Sequence, residues 1–244
     1  MGSVMMSGVA PQMNVPISGI LASDLSVGSS VYLMEDGVAA EYLVVNQGIP
    51  SGSSLYDASC DGMWLLRKDI ITTMAWDADN SNVLETSDVQ AWLNGDMLAK
   101  FDSVTQNAIK QVKIPYRSGG GPSGTDQSGT NGMPCKLFLL SIYEVGLDNT
   151  IVSYATVDGA KLDYFEYALG TSAVNKRIAY LNGNAIIWWL RSISTYKGSL
   201  VFYIGQNGGD NGNGASADYG IRPALVLPST AIFDKTTMLL KGVA

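Results

Sequence analysis

The chain alternates short apolar runs with turn-forming residues along most of its length. Two such runs flank Asp36 and Gly37 in "SSVYLMEDGVAAEYLVVN", residues 29–46, and the Asp-Gly pair suits the positive φ angles of a tight β-hairpin turn. Later runs are "GMWLLRKDII", "IIWWLRS", "SLVFYIG", "GIRPALVLP" and "TTMLLKG". Because each is short and bounded by turn residues, we expect core strands separated by long loops rather than a helical bundle.

Serine residues placed three positions before Gln or Glu predict the starts of helices. In such a capping box the Ser hydroxyl accepts a backbone N–H of the first turn, and the Gln or Glu side chain reaches back. The boxes are Ser87 with Gln90, Ser103 with Gln106, and Ser141 with Glu144. The first two predict the main helices, "DVQAWLNGDML" and "VTQNAIKQV", which are amphipathic and should pack on a sheet. The third predicts one very short helix.

Two segments interrupt this patterned chain. Residues 117–134, "RSGGGPSGTDQSGTNGMP", are rich in Gly and Ser, which predicts a flexible surface loop rather than a domain boundary. Residues 1–17 contain Pro11 and Pro16 and predict an irregular N-terminal arm before a single domain at 18–244. The arm lacks the charge and apolar pattern of a signal peptide, and no apolar run is long enough for a membrane-spanning helix.

Composition excludes several classes of function. The chain has 244 residues, 46% of them hydrophobic and 15% charged, which is typical of a globular protein. A net charge of −7 without a basic stripe argues against nucleic acid and anionic membranes as partners. The absence of His removes the commonest general base and zinc ligand. Cys60 and Cys135 are read as buried apolar side chains or as one disulfide, and a catalytic thiol is not expected.

No motif for chemistry reaches its required pattern. Residues 208–213 resemble a calcium-binding turn, but Gly212 stands where an oxygen ligand is needed, so we expect no metal site. The "GGGPSG" segment lacks the strand and helix of a phosphate-binding loop, and no cofactor is expected. Five acidic residues are interpreted as turn formers and caps, so we predict no catalytic residue. They are Asp57, Asp61, Asp77, Asp79 and Glu85.

Four large side chains near the chain's end are expected to be structural. Trp188 and Trp189 would form a sugar-stacking platform if exposed, but strand neighbours face opposite sides, so at least one must be core. Arg191 and Arg222 lie inside apolar segments. A partly buried Arg needs carbonyl or carboxylate partners, so both are expected to hold the bases of loops.

A family resemblance enters with "WWLRS" at 188–192, a variable polar tract, and "GIRPAL" at 220–225. These motifs, with "LLRKDI", "SDVQAWLN" and "FLLSIYEVG" upstream, resemble a family of uncharacterised domains of gut bacteria and their prophages. Such domains are similar to the C-type-lectin-like variable proteins of phages and bacteria, including those diversified by retroelements. The resemblance implies an α+β, C-type-lectin-like fold with small twisted antiparallel sheets, two main helices and long loops. It also implies a variable-type region at 191–225.

The resemblance further implies a display protein whose tract binds a ligand. Paratopes favour Tyr, Ser, Gly and Asn, which is the composition of residues 194–219. Strand alternation in "SLVFYIG" is read with Tyr203 and Ser199 outward and with Phe202 and Ile204 packed inward. The predicted ligand-binding residues are Ser194, Tyr196, Lys197, Ser199, Tyr203, Gln206, Asn207, Asp210, Asn211, Asn213, Ser216 and Asp218.

The expected function is a phage tail-associated or retroelement-diversified receptor-binding protein, located in the virion or in the host cytoplasm before assembly. Its expected partner is a bacterial surface protein or glycan, and the arm at 1–17 is a candidate contact with other virion proteins. Two alternatives stay open. One is a structural virion or assembly protein with a passive tract, and the other is a glycan-active enzyme.

Overall fold

A computed structural model describes residues 18–147, 153–167 and 170–244, so the predicted arm at 1–17 lies outside the described residues. The described residues form an α+β protein in which small antiparallel sheets dominate. The strands are β1 (Ile20–Leu21), β2 (Ser30–Glu35), β3 (Val38–Gln47), β4 (Met63–Arg67), β5 (Thr72–Ala75), β6 (Val112–Ile114), β7 (Tyr116–Ser118), β8 (Thr125–Gln127), β9 (Met133–Cys135), β10 (Leu137–Phe138), β11 (Tyr180–Leu181), β12 (Asn184–Ala185), β13 (Trp188–Ile193), β14 (Leu200–Ile204), β15 (Asp210–Gly214), β16 (Asp218–Ile221), β17 (Ala224–Leu227), β18 (Ala231–Phe233) and β19 (Leu240–Val243).

The helices are short and lie mainly in the middle of the chain. They are α1 (Asp88–Trp92), α2 (Leu98–Lys100), α3 (Ser103–Ala108) and α4 (Thr171–Arg177), with a π-helical turn at Leu93–Met97 joining α1 to α2. Single 3₁₀ turns occur at Ala22–Asp24, Pro50–Gly52, Ala58–Cys60 and Leu84–Thr86. No helix among the described residues is long and apolar enough to cross a membrane.

Two five-stranded sheets carry most of the core. The first has the order β10-β17-β4-β3-β2, and the second has the order β15-β14-β13-β16-β5. All pairs are antiparallel except β13 with β16, which run parallel. The chain passes from the second sheet to the first between β16 and β17, at Arg222 and Pro223. The motif "GIRPAL" therefore joins the two sheets.

The predicted hairpin is confirmed as β2 and β3. Its turn residues Asp36 and Gly37 have φ angles of 48° and 79°, the left-handed values that favour Asp-Gly. Strands β4, β14 and β17 fall within the apolar runs that predicted strands, and β13 and β19 overlap theirs but end one residue later. Each of β4, β13 and β17 is buried along nearly its whole length, which explains why these runs are continuously apolar instead of alternating.

The capping boxes have different outcomes. Ser87 caps α1 as predicted, accepting the Gln90 N–H at 3.3 Å. The prediction for Ser103 is wrong, because Asp102 holds the extended cap conformation and its carboxylate accepts the Thr105 N–H at 2.9 Å. The third box forms both of its hydrogen bonds but closes only a turn. Helix α4 had no start signal, since Gly170 at its N-terminus offers no side chain.

Residues 117–134 are more regular than the predicted surface loop. Strands β7 and β8 form a small hairpin here, and β9 pairs with β6. Gly120 and Gly121 have φ angles of 64° and 46° and lie against Asn82 and Gly198. The glycines therefore permit close backbone contact with the polar tract.

Candidate ligand-binding surface

The polar tract is a β-hairpin rather than a loop. Strands β14 and β15 pair in register from Leu200 opposite Gly214 to Ile204 opposite Asp210. At the turn, the Gly208 N–H donates to the Gly205 carbonyl at 2.9 Å, and Gly208 has a φ of 76°. Strand β15 is the edge of its sheet, so the Asn and Gly residues of "DNGNG" are presented on a fixed backbone at the rim.

The inward side of this hairpin is anchored as expected. Phe202 and Ile204 are buried. Trp188 and Trp189 on the neighbouring strand β13 are both fully buried, and each indole N–H donates to a backbone carbonyl. A sugar-stacking role for these two indoles is therefore excluded, because neither ring reaches the surface.

Tyr203 is partly buried and packs in an aromatic cluster that runs from the buried Trp189 to Tyr219 near the surface. Its ring lies 6.1 Å from that of Trp189 and 5.0 Å from that of Tyr219. Asn213 on the edge strand donates its amide N–H to the Tyr219 hydroxyl at 2.6 Å. Burial raises the pKa of Tyr203 above its usual value, which already lies well above neutral pH, so its phenol is protonated. The cluster gives the outer face a rigid aromatic centre.

A buried ionic network holds strand β13, which pairs with the hairpin strand β14. Arg191 makes two hydrogen bonds of 2.6 Å to the Glu144 carboxylate, and both residues are almost completely buried. Arg191 also donates to the carbonyls of Pro115, Leu139 and Asp158, so it connects four segments. The predicted structural role of Arg191 is thus satisfied by the carbonyl and carboxylate partners that burial requires.

Arg222 is buried with fewer partners. Its Nε donates to the Arg67 carbonyl at 2.8 Å, and its guanidinium lies 5.1 Å from the Trp188 ring. Its Nη1 has no hydrogen-bond partner among the described residues. Burial lowers the pKa of Arg222 to about 10. Arg222 therefore joins the sheets at the β16–β17 connection through packing more than through hydrogen bonds.

Nine of the twelve predicted binding residues line three adjoining depressions around the hairpin. The first depression, of about 400 Å³, is lined by Tyr203, Gln206, Asn207, Asp210 and Asn211. The second, of about 250 Å³, adds Asp218 and shares Gln206 and Ile187 with the first. The third, of about 300 Å³, contains Ser194, Tyr196 and Lys197 and shares Asn211 with the first. The remaining three are Ser199, Asn213 and Ser216.

Two residues of the first depression have structural duties as well. The Asn207 side chain accepts the Gly209 N–H at 3.1 Å and so shapes the turn. Asp210 is half-buried and faces Arg177, and burial raises the pKa of its carboxyl. Gln206 is exposed and is the freest of this group to contact a ligand, since the exposed Asn211 side chain also accepts a backbone N–H, that of Gly212 at 2.8 Å.

A scan of protein families matches residues 61–229 to one family, described as "Domain of unknown function (DUF6273)". The chain belongs to this family. The matched residues run from the start of β4 to the end of β17, so they contain both motifs and all three depressions of this DUF6273 domain. No curated protein and no solved structure matches the chain significantly.

Sequence reasoning missed the buried amide that holds the DUF6273 hairpin. Asn82 is fully buried, and its Nδ2 donates to the carbonyls of Lys197 at 2.8 Å and Leu200 at 3.0 Å. Its Oδ1 accepts the Gly121 N–H at 2.9 Å. Asn80 acts at the same open end of the hairpin but on its second strand, where its Oδ1 accepts the Ser216 N–H at 3.3 Å. The sequence "NSN" at residues 80–82 does not predict this role, because the backbone groups that Asn80 and Asn82 bind lie more than thirty residues away in the chain.

Sequence reasoning also missed Tyr154, which lies far from the polar tract in sequence. Its carbonyl accepts the Thr195 N–H at 2.8 Å, and its ring lies 5.6 Å from the Tyr196 ring. Tyr154 and Tyr196 are 66% and 67% exposed, among the most exposed large side chains of the described residues. The neighbouring residues 148–152 lie outside the described residues.

Other parts of the DUF6273 domain offer less for chemistry. The described residues contain no group of three or more His, Cys, Asp or Glu that could hold a metal ion. Cys60 and Cys135 are buried free thiols, which confirms the first of the two readings and not the disulfide. Burial raises the pKa of Cys60 to about 11, so it is not a reactive thiolate at neutral pH.

Two larger depressions lie away from the hairpin. The first, of about 710 Å³, lies beside β5, and its charges are paired in the bridges of Arg67 with Glu35 and of Lys100 with Asp36. The second, of about 690 Å³, lies between α1 and β9. There the Asn94 side chain is occupied by four backbone partners. These depressions therefore present few free polar groups.

Proposed function

We propose that this DUF6273 domain is a ligand-binding display protein with a C-type-lectin-like fold, which recognises a bacterial surface protein or glycan. One observation carries the proposal: nine of the twelve Tyr, Asn, Ser and related residues predicted from composition line adjoining depressions around one hairpin. The hairpin pairs with β13, whose Trp188, Trp189 and Arg191 side chains are buried, and the Arg177 Nε donates to the Gly208 carbonyl at the turn at 2.8 Å. A rigid scaffold that carries adaptable polar and aromatic groups is the usual design of a binding surface.

In this proposal the protein is a phage tail-associated or retroelement-diversified variable protein, located in the virion or in the host cytoplasm before assembly. It assigns no catalytic step, and the buried acidic residues Glu144 and Asp158 serve the Arg191 network instead. The positions that can vary between proteins of this kind are the exposed ones that line the depressions, because substitution there leaves the buried aromatic side chains and the Arg191 network intact.

The first test is direct binding. The fluorescently labelled chain is incubated with a panel of intact bacteria and with purified cell envelopes, and bound label is measured by flow cytometry and sedimentation. We expect saturable binding to some strains, with competition by unlabelled protein. Binding to none of the cells, or binding that does not saturate, contradicts the proposal. Cleavage of envelope polysaccharide by the chain would instead support the enzyme alternative.

A further inference from the structure

The third depression has a chemical character that the other two lack. Its floor is apolar, made by Leu200 and Phe202 beside Gly212, where any side chain would collide with Leu200. Two exposed phenol rings, Tyr154 and Tyr196, stand at its side with an angle of 35° between their planes. A volume of about 300 Å³ lies at the small end of ligand sites, which suits one or two rings of a ligand.

Polar groups border this depression. Ser194 is buried, and its Oγ accepts the N–H groups of Tyr196 at 3.1 Å and Lys197 at 3.2 Å, which fixes the backbone on that side. The side chain of Asn211, which also lines the depression, is exposed. Hydrogen-bonding groups therefore surround an apolar and aromatic centre.

Lys197 adds an unpaired positive charge. Lys197 and Lys235 are the two basic residues whose side chains have no hydrogen bond, ion pair or ring contact within the described part of the chain. The net charge of −7 disfavours anionic ligands over the protein as a whole, so attraction of an anionic group to this depression depends on the local charge of the exposed Lys197.

The backbone around the depression is held before any ligand arrives. Asn82 fixes the carbonyls of Lys197 and Leu200, as described above, and Ala155 forms an antiparallel bridge with Ser194. The ring contact between Tyr154 and Tyr196 limits the rotation of both side chains. Preorganisation of this kind lowers the entropy that a ligand must lose on binding.

We propose that the depression between Tyr154, Tyr196 and Phe202 is a subsite for an anionic sugar residue, with the sugar ring against a tyrosine and its carboxylate at Lys197. A pyranose presents C–H groups on one face, which meet the negative face of an aromatic ring, and hydroxyl groups around its edge. That distribution matches an aromatic wall with the exposed Asn211 and Lys197 at the rim. The inference rests on the proposed function and selects a glycan over a protein as the ligand.

The test uses two matched probes. One is a tetrasaccharide containing glucuronic acid, and the other is the same tetrasaccharide with its carboxyl groups reduced to alcohols. Isothermal titration calorimetry on the full chain gives the Kd of each. We expect the acidic probe to bind about threefold more tightly than the reduced one, the size of an exposed ion pair. Equal affinity for the two probes, or no binding of the acidic probe, overturns the proposal.

Substitutions locate the site. Tyr196→Ala and Tyr154→Ala should each weaken the acidic probe by roughly tenfold, the upper range for one aromatic contact, whereas Tyr196→Phe keeps the ring and should bind normally. Lys197→Gln should remove the preference for the acid and leave the reduced probe unchanged. Tyr180→Ala, an exposed tyrosine on β11, is the matched control and should change nothing. Unchanged affinity in both tyrosine-to-alanine variants overturns the proposal.

Cell binding separates this inference from the proposed function. If the chain binds bacteria but Tyr154→Ala/Tyr196→Ala binds them equally well, and protease treatment of the cells abolishes binding, the ligand is a protein. The subsite is then rejected while the display function stands. If the chain binds no bacterial surface, the display function itself fails, whatever the titrations show.

Discussion

Replacing Asn82 with Ala should loosen the connection between β13 and β14, residues 194–199, while the strands of the first sheet stay in place. The substitution removes three hydrogen bonds, to the carbonyls of Lys197 and Leu200 and from the N–H of Gly121. A hydrogen bond contributes about 1 kcal/mol net, and a buried group left unpaired costs about 1–3 kcal/mol. Lys197 is exposed, so water can replace its partner, whereas Gly121 is buried. We therefore expect the free energy of unfolding to fall by about 2–3 kcal/mol.

The assay combines urea unfolding with native-state hydrogen exchange. The Ser194 N–H, which donates to the Leu200 carbonyl at 3.0 Å, should lose protection together with the Gly121 N–H. The amides of β4 should still exchange only through global unfolding, because Asn82 makes no hydrogen bond to β4. Binding to bacterial envelopes should weaken as the β13–β14 connection, which carries Tyr196 and Lys197, becomes mobile.

Asn94→Ala is the matched control. The Asn94 amide also bridges backbone groups, donating to the Leu137 carbonyl at 2.9 Å and accepting the N–H groups of Lys136 and Leu137 at 2.9 Å and 3.1 Å. We expect a similar loss of stability with exchange confined to that region and binding retained. The reasoning is refuted if Asn82→Ala leaves exchange at Ser194 unchanged, or if Asn94→Ala weakens binding as much as Asn82→Ala.

Three further predictions concern the scaffold. Burial raises the pKa of Asp158 from 3.8 to about 7, so the folded state holds an extra proton between these values and Asp158 lowers the free energy of unfolding as pH rises from about 4 to 7. Asp158→Asn removes this effect, so the free energy of unfolding that it adds, measured in urea, should grow over that pH range. A gain that is the same at every pH contradicts the prediction. Arg222→Met should change the free energy of unfolding by less than about 1 kcal/mol, because Arg222 has no charged partner in the described part of the chain. Arg191→Met leaves the buried Glu144 carboxylate without its ion pair and should lower the free energy of unfolding by about 3–5 kcal/mol. Equal losses in the two variants would refute this reasoning. Gly208→Ala should lower the melting temperature more than Gly183→Ala, because both have positive φ angles but only Gly208 lies against the Val174 backbone; equal shifts contradict it.

Local patterns predicted the elements that are specified by burial or by turn chemistry. The runs around "WWLRS" and "ALVL" became strands because they fill the core, and Asp36-Gly37 became a hairpin turn because few other residues accept those angles. The helix cap at 102–103 was misplaced by one residue, since Asp and Ser cap equally well and tertiary packing decides between them.

The polar hairpin shows why the rest was not predictable. Residues Asp210–Gly214, "DNGNG", have low strand propensity. They form β15 because their backbone pairs with β14, which is itself held by buried side chains. The composition of the tract predicted most of the candidate surface, but Tyr154 and Asn82 reach it through contacts far apart in sequence. A single sequence contains no signal for such contacts.

The central claim is that the exposed side chains around β14 and β15 bind a ligand while the buried ones hold the fold. Its most direct test is a fourfold alanine variant at exposed positions of the three depressions, with a fourfold control at exposed positions elsewhere, each measured for binding to bacterial envelopes and for melting temperature. The variant changes Tyr196, Gln206, Asn211 and Asp218, and the control changes Asp24, Thr130, Tyr180 and Lys235.

Exposed substitutions usually change the free energy of unfolding by less than about 0.5 kcal/mol each, so both proteins should melt close to the wild type. The account predicts that the first variant loses binding by at least about tenfold, the equivalent of 1.4 kcal/mol, while the control binds normally. Wild-type binding by the first variant, or its unfolding, would contradict the claim, because the surface would then be passive or part of the core.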